Sequence, residues 1–213
     1  LTGGQNLTVD NTYAINWTPK GTYPGTVKID YYNGTDWERI AEDDNSTSVG
    51  ADTINQSFNW VIPDNVLTNS RIRISTQTGC STIDSSVNST TDFKLIGKVV
   101  IVSPNSTTTL YTADKYNITW NSNGTFPVRI RYSNDSGATW KNITNVTSND
   151  GAANKYEWTV PDEKIDTIVV NISDNRSSFT PLVTNLSQAF WIKPNVTLSS
   201  PVAGLRVPAN DTT

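Results

Sequence analysis

Short segments in which apolar and polar residues alternate recur along the chain, and clusters of Gly, Asn, Asp, Ser and Pro separate them. In one such segment Tyr116, Ile118 and Trp120 alternate with Asn117 and Thr119. A period of two residues places successive side chains on opposite faces of a strand, so the pattern predicts half-buried antiparallel strands. No segment has the 3.6-residue period of an amphipathic helix. The sequence therefore predicts an all-β fold.

The same series of segments occurs twice, about one hundred residues apart. Residues 13–17 (YAINW) correspond to residues 116–120 (YNITW), and residues 58–64 (FNWVIPD) correspond to residues 156–162 (YEWTVPD). A fixed period of this length indicates tandem copies of one structural unit.

About seven short strands per hundred residues, with Trp at inward positions, are typical of an immunoglobulin-like (Ig-like) β-sandwich. We predict tandem Ig-like antiparallel β-sandwiches. Residues 1–97 form the first, here named repeat 1, and residues 98–194 form the second, named repeat 2. Residues 195–213 are predicted to supply the first strand of a further repeat or a donated strand.

The two repeats differ at their beginnings. Residues 99–104 (VVIVSP) predict an opening strand in repeat 2 that repeat 1 lacks, and residues 196–201 (VTLSSP) echo that strand. A sandwich without an edge strand exposes unpaired backbone groups and apolar core. Two explanations stay open: the chain is cut from a longer array, or an assembly strand containing Val196 and Leu198 completes repeat 1 of the next copy. The second explanation builds an open head-to-tail fibre.

The order of motifs resembles a known family. In repeat 2 it runs Ser103-Pro104, then Tyr-x-Ile-x-Trp at 116–120, Val-x-Ile at 128–130, Trp-Thr-Val-Pro at 158–161 and Phe-x-Ile at 190–192. This series is similar to the Ig-like domain of the fungal cell-wall glucan-synthesis family (the Ser/Thr-rich, GPI-anchored type), which also recurs in prokaryotic surface proteins. The resemblance implies a wall or surface setting and supplies no catalytic residues.

The strongest chemical signal is N-glycosylation. Of 24 Asn residues, 17 stand in Asn-x-Ser/Thr without an intervening Pro, whereas random placement of the 52 Ser and Thr gives about six. An acceptor Asn must be accessible at the surface, and unused motifs in an Asn/Thr-rich chain are the alternative. The predicted acceptors are Asn6, Asn16, Asn33, Asn45, Asn55, Asn88, Asn105, Asn117, Asn123, Asn134, Asn142, Asn145, Asn171, Asn175, Asn185, Asn195 and Asn210.

The composition argues against several function classes. The chain has no His, which excludes Ser-His-Asp catalysis and His metal ligands, and we predict that it is not an enzyme. Its net charge of −4, with 17% charged residues, argues against a nucleic-acid partner. No stretch is apolar for about 18 residues, so no membrane span is expected in this segment. Cys80 is the single Cys, which leaves no internal disulfide.

Three smaller motifs remain. The carboxylates of Asp43 and Asp44 are candidate calcium ligands, with a solvated acidic loop as the alternative and calcium as the only candidate cofactor. Residues 133–140 (SNDSGATW) match the Asp-box pattern, which we interpret as a hairpin turn. Trp191 is out of phase with its apolar neighbours Phe190 and Ile192 and is expected to face solvent or a neighbouring domain.

These signals favour an extracellular structural glycoprotein at the cell surface, a repeat segment of a surface layer or sheath, with archaeal origin expected. The expected partners are copies of itself and N-linked glycans. One alternative is the subunit of an extracellular filament assembled by strand donation. A second alternative, from a different class, is a carbohydrate-binding or linker module of a secreted enzyme.

Overall fold

The computed structural model describes residues 1, 3–18, 26–43, 56–78, 82–146, 153–162, 165–179, 182–196 and 199. These residues contain eighteen β-strands and no helix. The chain is all-β, as the two-residue period predicts, and it forms tandem Ig-like antiparallel sandwiches.

The described part of repeat 1 contains nine strands, which are β1 (Asn6–Thr8), β2 (Thr12–Trp17), β3 (Thr26–Tyr32), β4 (Trp37–Asp43), β5 (Gln56–Val61), β6 (Leu67–Ser70), β7 (Ile72–Thr78), β8 (Thr82–Asn88) and β9 (Phe93–Ile96). One face of the sandwich is the β2-β5 pair, and the other is the sheet β4-β3-β7-β8. The three strands β1-β9-β6 complete the fold, with β1 parallel to β9.

In repeat 2 the described residues form the other nine strands, which are β10 (Lys98–Ser103), β11 (Thr109–Tyr111), β12 (Lys115–Asn123), β13 (Val128–Ser133), β14 (Lys141–Val146), β15 (Asn154–Thr159), β16 (Ile165–Asp174), β17 (Thr184–Leu186) and β18 (Phe190–Lys193). One sheet has the order β10-β12-β15, and the other has the order β11-β18-β16-β13-β14, with β17 beside β16. Here β11 is parallel to β18, as β1 is to β9.

The cores follow the predicted alternation. In β13, Val128 and Ile130 are fully buried and Tyr132 is 8% exposed, while the intervening arginines lie near the surface. In β12, Ile118 and Trp120 are buried between more exposed polar neighbours. Each strand thus contributes one apolar face to the space between two sheets.

The two repeats differ at the edge of the sheet that contains β2. In repeat 2, β10 pairs antiparallel with β12, and Val99 of β10 is buried in the core. In repeat 1, β2 pairs with β5 on one side, and no strand within the described ranges pairs with its other edge. Among the described residues, repeat 1 thus has an equivalent of β11, namely β1, and no equivalent of β10.

The two repeats are joined directly. A single residue, Gly97, separates β9 from β10. A side chain at this position would come within 2.1 Å of the Phe126 ring of repeat 2, so only glycine lets the ring pack against the backbone. The buried Phe126 belongs to the core cluster that Val66 and Ile96 of repeat 1 also contact. The joint is thus a packed interface.

Trp120 offers a direct test of the core assignment. Its side chain is 1% exposed, so Trp120→Ala leaves a large cavity and should lower the free energy of unfolding of repeat 2 by about 3–5 kcal/mol. The matched control is Trp191→Ala, which should lower the free energy of unfolding much less because Trp191 is 47% exposed. Denaturant unfolding followed by circular dichroism measures both changes, and similar losses in the two variants would contradict the assignment.

Candidate functional site

The predicted acceptor asparagines lie mostly at the surface. Three of them, Asn45, Asn55 and Asn210, fall outside the described residues. Of the fourteen that are described, three are half-buried and one, Asn171, is buried. The remaining ten are exposed, and these are Asn6, Asn16, Asn88, Asn105, Asn117, Asn134, Asn142, Asn145, Asn175 and Asn195.

The strand alternation explains why these positions are exposed. Asn16 follows the buried Ile15 in β2, and Asn117 precedes the buried Ile118 in β12, so both amides point away from the core. Asn142 and Asn145 lie on β14, an edge strand of the opposite sheet. The exposed acceptors are therefore distributed over both faces of the sandwiches.

Asn171 does not meet the requirement for accessibility. It is 4% exposed, and its Nδ2 donates hydrogen bonds to Thr184 Oγ1 (2.7 Å) and to the carbonyl of Asn185 (3.2 Å). Its Oδ1 accepts a hydrogen bond from Arg131 at 3.1 Å. In the folded chain this amide serves as a structural link between strands.

The three half-buried acceptors also make structural contacts. Asn33 Oδ1 accepts hydrogen bonds from the backbone of Thr35 and Asp36 in a tight turn. Asn123 Nδ2 donates across the joint between repeats to Asp10 Oδ2 at 2.9 Å, and Asn185 Oδ1 accepts from the backbone of Ile101 at 2.9 Å. A glycan at any of these three positions has to coexist with such a contact.

The Asp-box segment forms a turn, as its pattern predicts. Ser133 is buried, and its Oγ accepts a hydrogen bond from the Gly137 backbone (2.8 Å) and donates one to Asp135 Oδ1 (2.7 Å). Asp135 also accepts hydrogen bonds from the backbone and hydroxyl of Thr139. Gly137 has a φ of +93°, which glycine adopts without strain. The side chains of Ser133, Asp135 and Thr139 therefore form these hydrogen bonds within the turn.

Hydrogen bonds to the Asp135 carboxylate, first from Ser133 and then from Thr139, lower its pKa to about 2 from 3.8. A carboxylate that accepts several hydrogen bonds is stabilised in its charged form. Such a group remains ionised at neutral pH, which suits an acceptor that holds a turn together.

Trp191 points outward, as its phase in β18 predicts. Phe190 and Ile192 on either side are buried, whereas Trp191 is 47% exposed. On the parallel strand β11, Leu110 is buried and Tyr111 is 45% exposed, so Tyr111 lies on the same face. Both aromatic side chains are therefore exposed on the same face of repeat 2, which is here named the exposed platform.

The calcium prediction cannot be placed in the structure. Asp44, the side chain of Asp43 and Cys80 lie outside the described residues. Within the ranges that are described, no group of three or more His, Cys, Asp or Glu is arranged to hold a metal ion. No helix in the same ranges is long and apolar enough to cross a membrane.

Val196 of the predicted assembly strand is 86% exposed, and Leu198 lies outside the described residues. Just before Val196, the backbone of Asn195 donates to Thr112 Oγ1 at 3.2 Å. The chain therefore leaves repeat 2 beside the turn that follows β11.

The contacts at the joint were not predicted from the sequence. The Asp64 carboxylate accepts hydrogen bonds from the backbone (2.8 Å) and the hydroxyl (3.1 Å) of Thr125. Arg176 forms an ion pair with the buried Asp174 (2.7 Å) and donates to the carbonyl of Val66 (3.3 Å). The sequence does contain one signal for contact between the repeats, although not for these partners: Gly97 alone links the segments 93–96 and 98–103, and so short a link forces the repeats into contact.

Comparisons with known proteins give structural similarity alone. No family model matches the chain, and no curated protein sequence matches it. The resemblance to the fungal glucan-synthesis family therefore stays a hypothesis.

Among solved structures, the fibronectin(III)-like modules of CbhA from Clostridium thermocellum align with a TM-score of 0.33 and 16% identity over 91% of each chain. Dpr11 IG1 bound to DIP-gamma IG+IG2 aligns with a TM-score of 0.32 and 6% identity, over 90% of this chain and 96% of that chain. Dpr2 Ig1-Ig2 in complex with DIP-Theta Ig1-Ig3 aligns with a TM-score of 0.30 and 9% identity, over 90% of this chain and 97% of that chain. The fold assignment itself rests on the strand pairing described above.

Occupancy of the acceptors should follow their exposure. We expect glycopeptide mass spectrometry of the natural protein to find Asn117 modified and Asn171 unmodified, because the Asn171 amide is enclosed by Thr184 and Arg131. Asn117 stands in Asn-Ile-Thr and Asn171 in Asn-Ile-Ser, so the exposed Asn175, in Asn-Arg-Ser, is a further control whose motif also ends in Ser and which should be modified. Full occupancy at Asn171 would contradict the placement of this side chain.

The Asp135 turn should have a distinctive dependence on pH. Because the folded-state pKa is lower than the unfolded one, ionised Asp135 stabilises the fold above about pH 4, and this contribution is lost as pH falls through about 2. The Asp135→Ala variant should therefore have a lower melting temperature than the wild type at pH 7, and the difference between the two melting temperatures should shrink between pH 4 and pH 2. Thermal melts across this range measure it, and a constant difference would show that the carboxylate charge is irrelevant.

Proposed function

We propose that the chain is a structural module of an extracellular, N-glycosylated surface layer or sheath, as expected of an archaeal cell surface. The observation that carries the proposal is the set of ten exposed acceptor asparagines spread over both faces of two packed sandwiches. Tandem Ig-like sandwiches are an architecture that many cell-surface proteins use.

Dense glycans have a physical role on such a molecule. Strand edges carry unpaired N–H and C=O groups that recruit other chains, and natural proteins cover or charge them. β14 is an edge strand of repeat 2, and it carries the exposed acceptors Asn142 and Asn145. Bulky polar glycans there keep unwanted partners from pairing while leaving unmodified surfaces available for specific contacts.

The joint between the repeats supports a structural role as well. A one-residue link, the Phe126 ring on Gly97 and the paired hydrogen bonds from Thr125 to Asp64 hold the two sandwiches together. Domains that contact one another only through a flexible linker move freely. This joint instead sets a fixed spacing, which a regular array requires.

The buried carboxylates are engaged in structural ion pairs. Asp30, at 3% exposure, contacts Arg39 (2.6 Å) and Arg73 (3.0 Å) on neighbouring strands. Asp174 is fully buried and pairs with Arg176. These pairings support a non-catalytic role, because a carboxylate that acts on substrate has to face an accessible cleft.

A carbohydrate-binding module is the second candidate, and the exposed platform of Trp191 and Tyr111 favours it. Aromatic faces combine a large apolar area with a polar edge. If this candidate is correct, the chain should retain glycans on an array and lose them in Trp191→Ala. Binding that survives in the variant, or no binding at all, would remove the candidate.

The proposed function predicts a heavy and ordered native material. Intact-mass analysis of the natural protein should give a mass well above the 23.4 kDa of the polypeptide, because most acceptors carry glycan. Electron microscopy of the cell surface should show the protein in a regular layer or tube. A bare polypeptide mass together with an absence of regular assemblies would overturn the proposal.

A further inference from the structure

The open edge of β2 borders a groove in the wall of repeat 1. The groove has a volume of about 200 Å³ and lies between β2 on one sheet and β7 with β8 on the other. Its lining is mainly apolar and consists of Leu1, Ile15, Trp17, Ile72, Ile74 and Val87, with the acceptors Asn16 and Asn88 and the polar residues 89 and 90 around them. A glycan at either acceptor has to lie outside the groove when the groove is occupied.

Repeat 2 shows what fills the equivalent space. There β10 lies between β12 and β17, with Val99 buried and Ile101 packed against the core. The backbone of Ile101 donates to Asn185 Oδ1, which anchors β10 to the second sheet. Asn185 pairs with Ile172 across strands, as Val87 pairs with Ile74 in repeat 1. The position that contacts β10 in repeat 2 thus has a counterpart, Val87, at the groove.

Two side chains in repeat 1 show the effect of the missing strand. Val87 is 63% exposed although it lines an apolar groove. Trp17, the counterpart of the fully buried Trp120, is only half-buried. An added strand covers apolar side chains of this kind and brings backbone carbonyls that accept hydrogen bonds.

We propose that this groove receives residues 196–199 of a second copy of the chain, which pair with β2 as β10 pairs with β12. The inference rests on the proposed structural role and specifies how copies join head to tail. The chain contains the required strand sequence: residues 196–201 (VTLSSP) align with residues 99–104 (VVIVSP) through the shared Ser-Pro. The inward positions of β10, Val99 and Ile101, become Val196 and Leu198.

The outward positions agree with this alignment. Val100 and Val102 of β10 are 41% and 51% exposed, and Thr197 and Ser199 take their places in the segment. A strand with apolar residues on one face and polar residues on the other suits a groove that is apolar inside and open outside. Val196 itself is 86% exposed in the single chain, so the segment has apolar surface left to bury.

A second sequence match favours a copy of this chain as the occupant. At the internal joint, residues 124–127 (GTFP) place Thr125 on the carboxylate of Asp64. Residues 21–24 (GTYP), which lie outside the described ranges, have the same sequence pattern, and Asp162 corresponds to Asp64 and is exposed. The sequence therefore carries both partners of that contact a second time.

The pairing register gives a direct test by crosslinking. In repeat 2, Val100 pairs with Asn121, and the corresponding positions between copies are Thr197 and Thr18. In a Cys80→Ser background, Thr197→Cys with Thr18→Cys should form disulfide-linked chains of many copies on non-reducing gels. Thr197→Cys with Thr12→Cys, which is displaced along β2, should not. This control also carries Asn16→Gln, because Thr18→Cys removes the acceptor motif of Asn16 in the test pair. Crosslinking only within single chains, or equally in both pairs, would overturn the register.

Paired variants of the full glycosylated chain test the assembly itself. Leu198→Asp disables the donor segment, and Val87→Lys disables the groove, whereas Val61→Lys is the matched control because Val61 is 59% exposed and does not line the groove. Size-exclusion chromatography with light scattering should find monomers for each of the first two variants and long polymers for the wild type and the control. Circular dichroism melts establish that all of them are folded.

Mixing the two disabled variants gives the decisive result. An intact segment from Val87→Lys and an intact groove from Leu198→Asp should together form a one-to-one dimer that does not grow further. A wild-type chain that stays monomeric, or a groove filled by other residues, overturns the inference. Polymers of the Leu198→Asp variant would also overturn the inference. If such polymers form a glycosylated layer through another contact, the proposed function still holds.

Discussion

The packing of one aromatic pair between the two sheets is the contact on which each sandwich depends. In repeat 1 the rings of Tyr31 and Trp60 are 5.2 Å apart, and in repeat 2 those of Tyr132 and Trp158 are 5.5 Å apart, with an interplanar angle of 44° in both. In each case the Tyr comes from one sheet and the Trp from the other. Tilted aromatic pairs bury large areas with a defined geometry, so this contact sets the distance and offset at which the remaining side chains pack.

Outside this shared core, the two repeats form one similar surface contact with residues from different strands. An arginine stacks on the tryptophan after the hairpin turn in both repeats, Arg73 on Trp37 at 4.3 Å and Arg131 on Trp140 at 5.3 Å. The first arginine comes from β7 and the second from β13. An arginine thus covers the tryptophan in both repeats, although it comes from a different strand in each.

Local alternation was sufficient to predict the strands and most of the core, because the direction of a side chain in a strand depends only on its phase. It failed at Asn171, whose phase in β16 is outward but which Arg131 and Thr184 of neighbouring strands cover. It also failed to predict the contact of Asp64 with Thr125, because those residues meet only when two repeats dock. Positions of this kind depend on partners that are distant in the sequence, and a single sequence contains no local signal for them.

The parallel pairs β1 with β9 and β11 with β18 have a mechanical consequence. The chain enters repeat 1 through β1 and leaves it through β9, so tension along the chain pulls these two strands in opposite directions along their length. Repeat 2 is entered through β10, and tension reaches its β11–β18 pair once β10 has separated from β12. All the hydrogen bonds of the pair then carry the load together and have to break at once, whereas an antiparallel hairpin pulled from its open end loses them one by one. Each repeat therefore contains one strand pair that resists stretching along the chain.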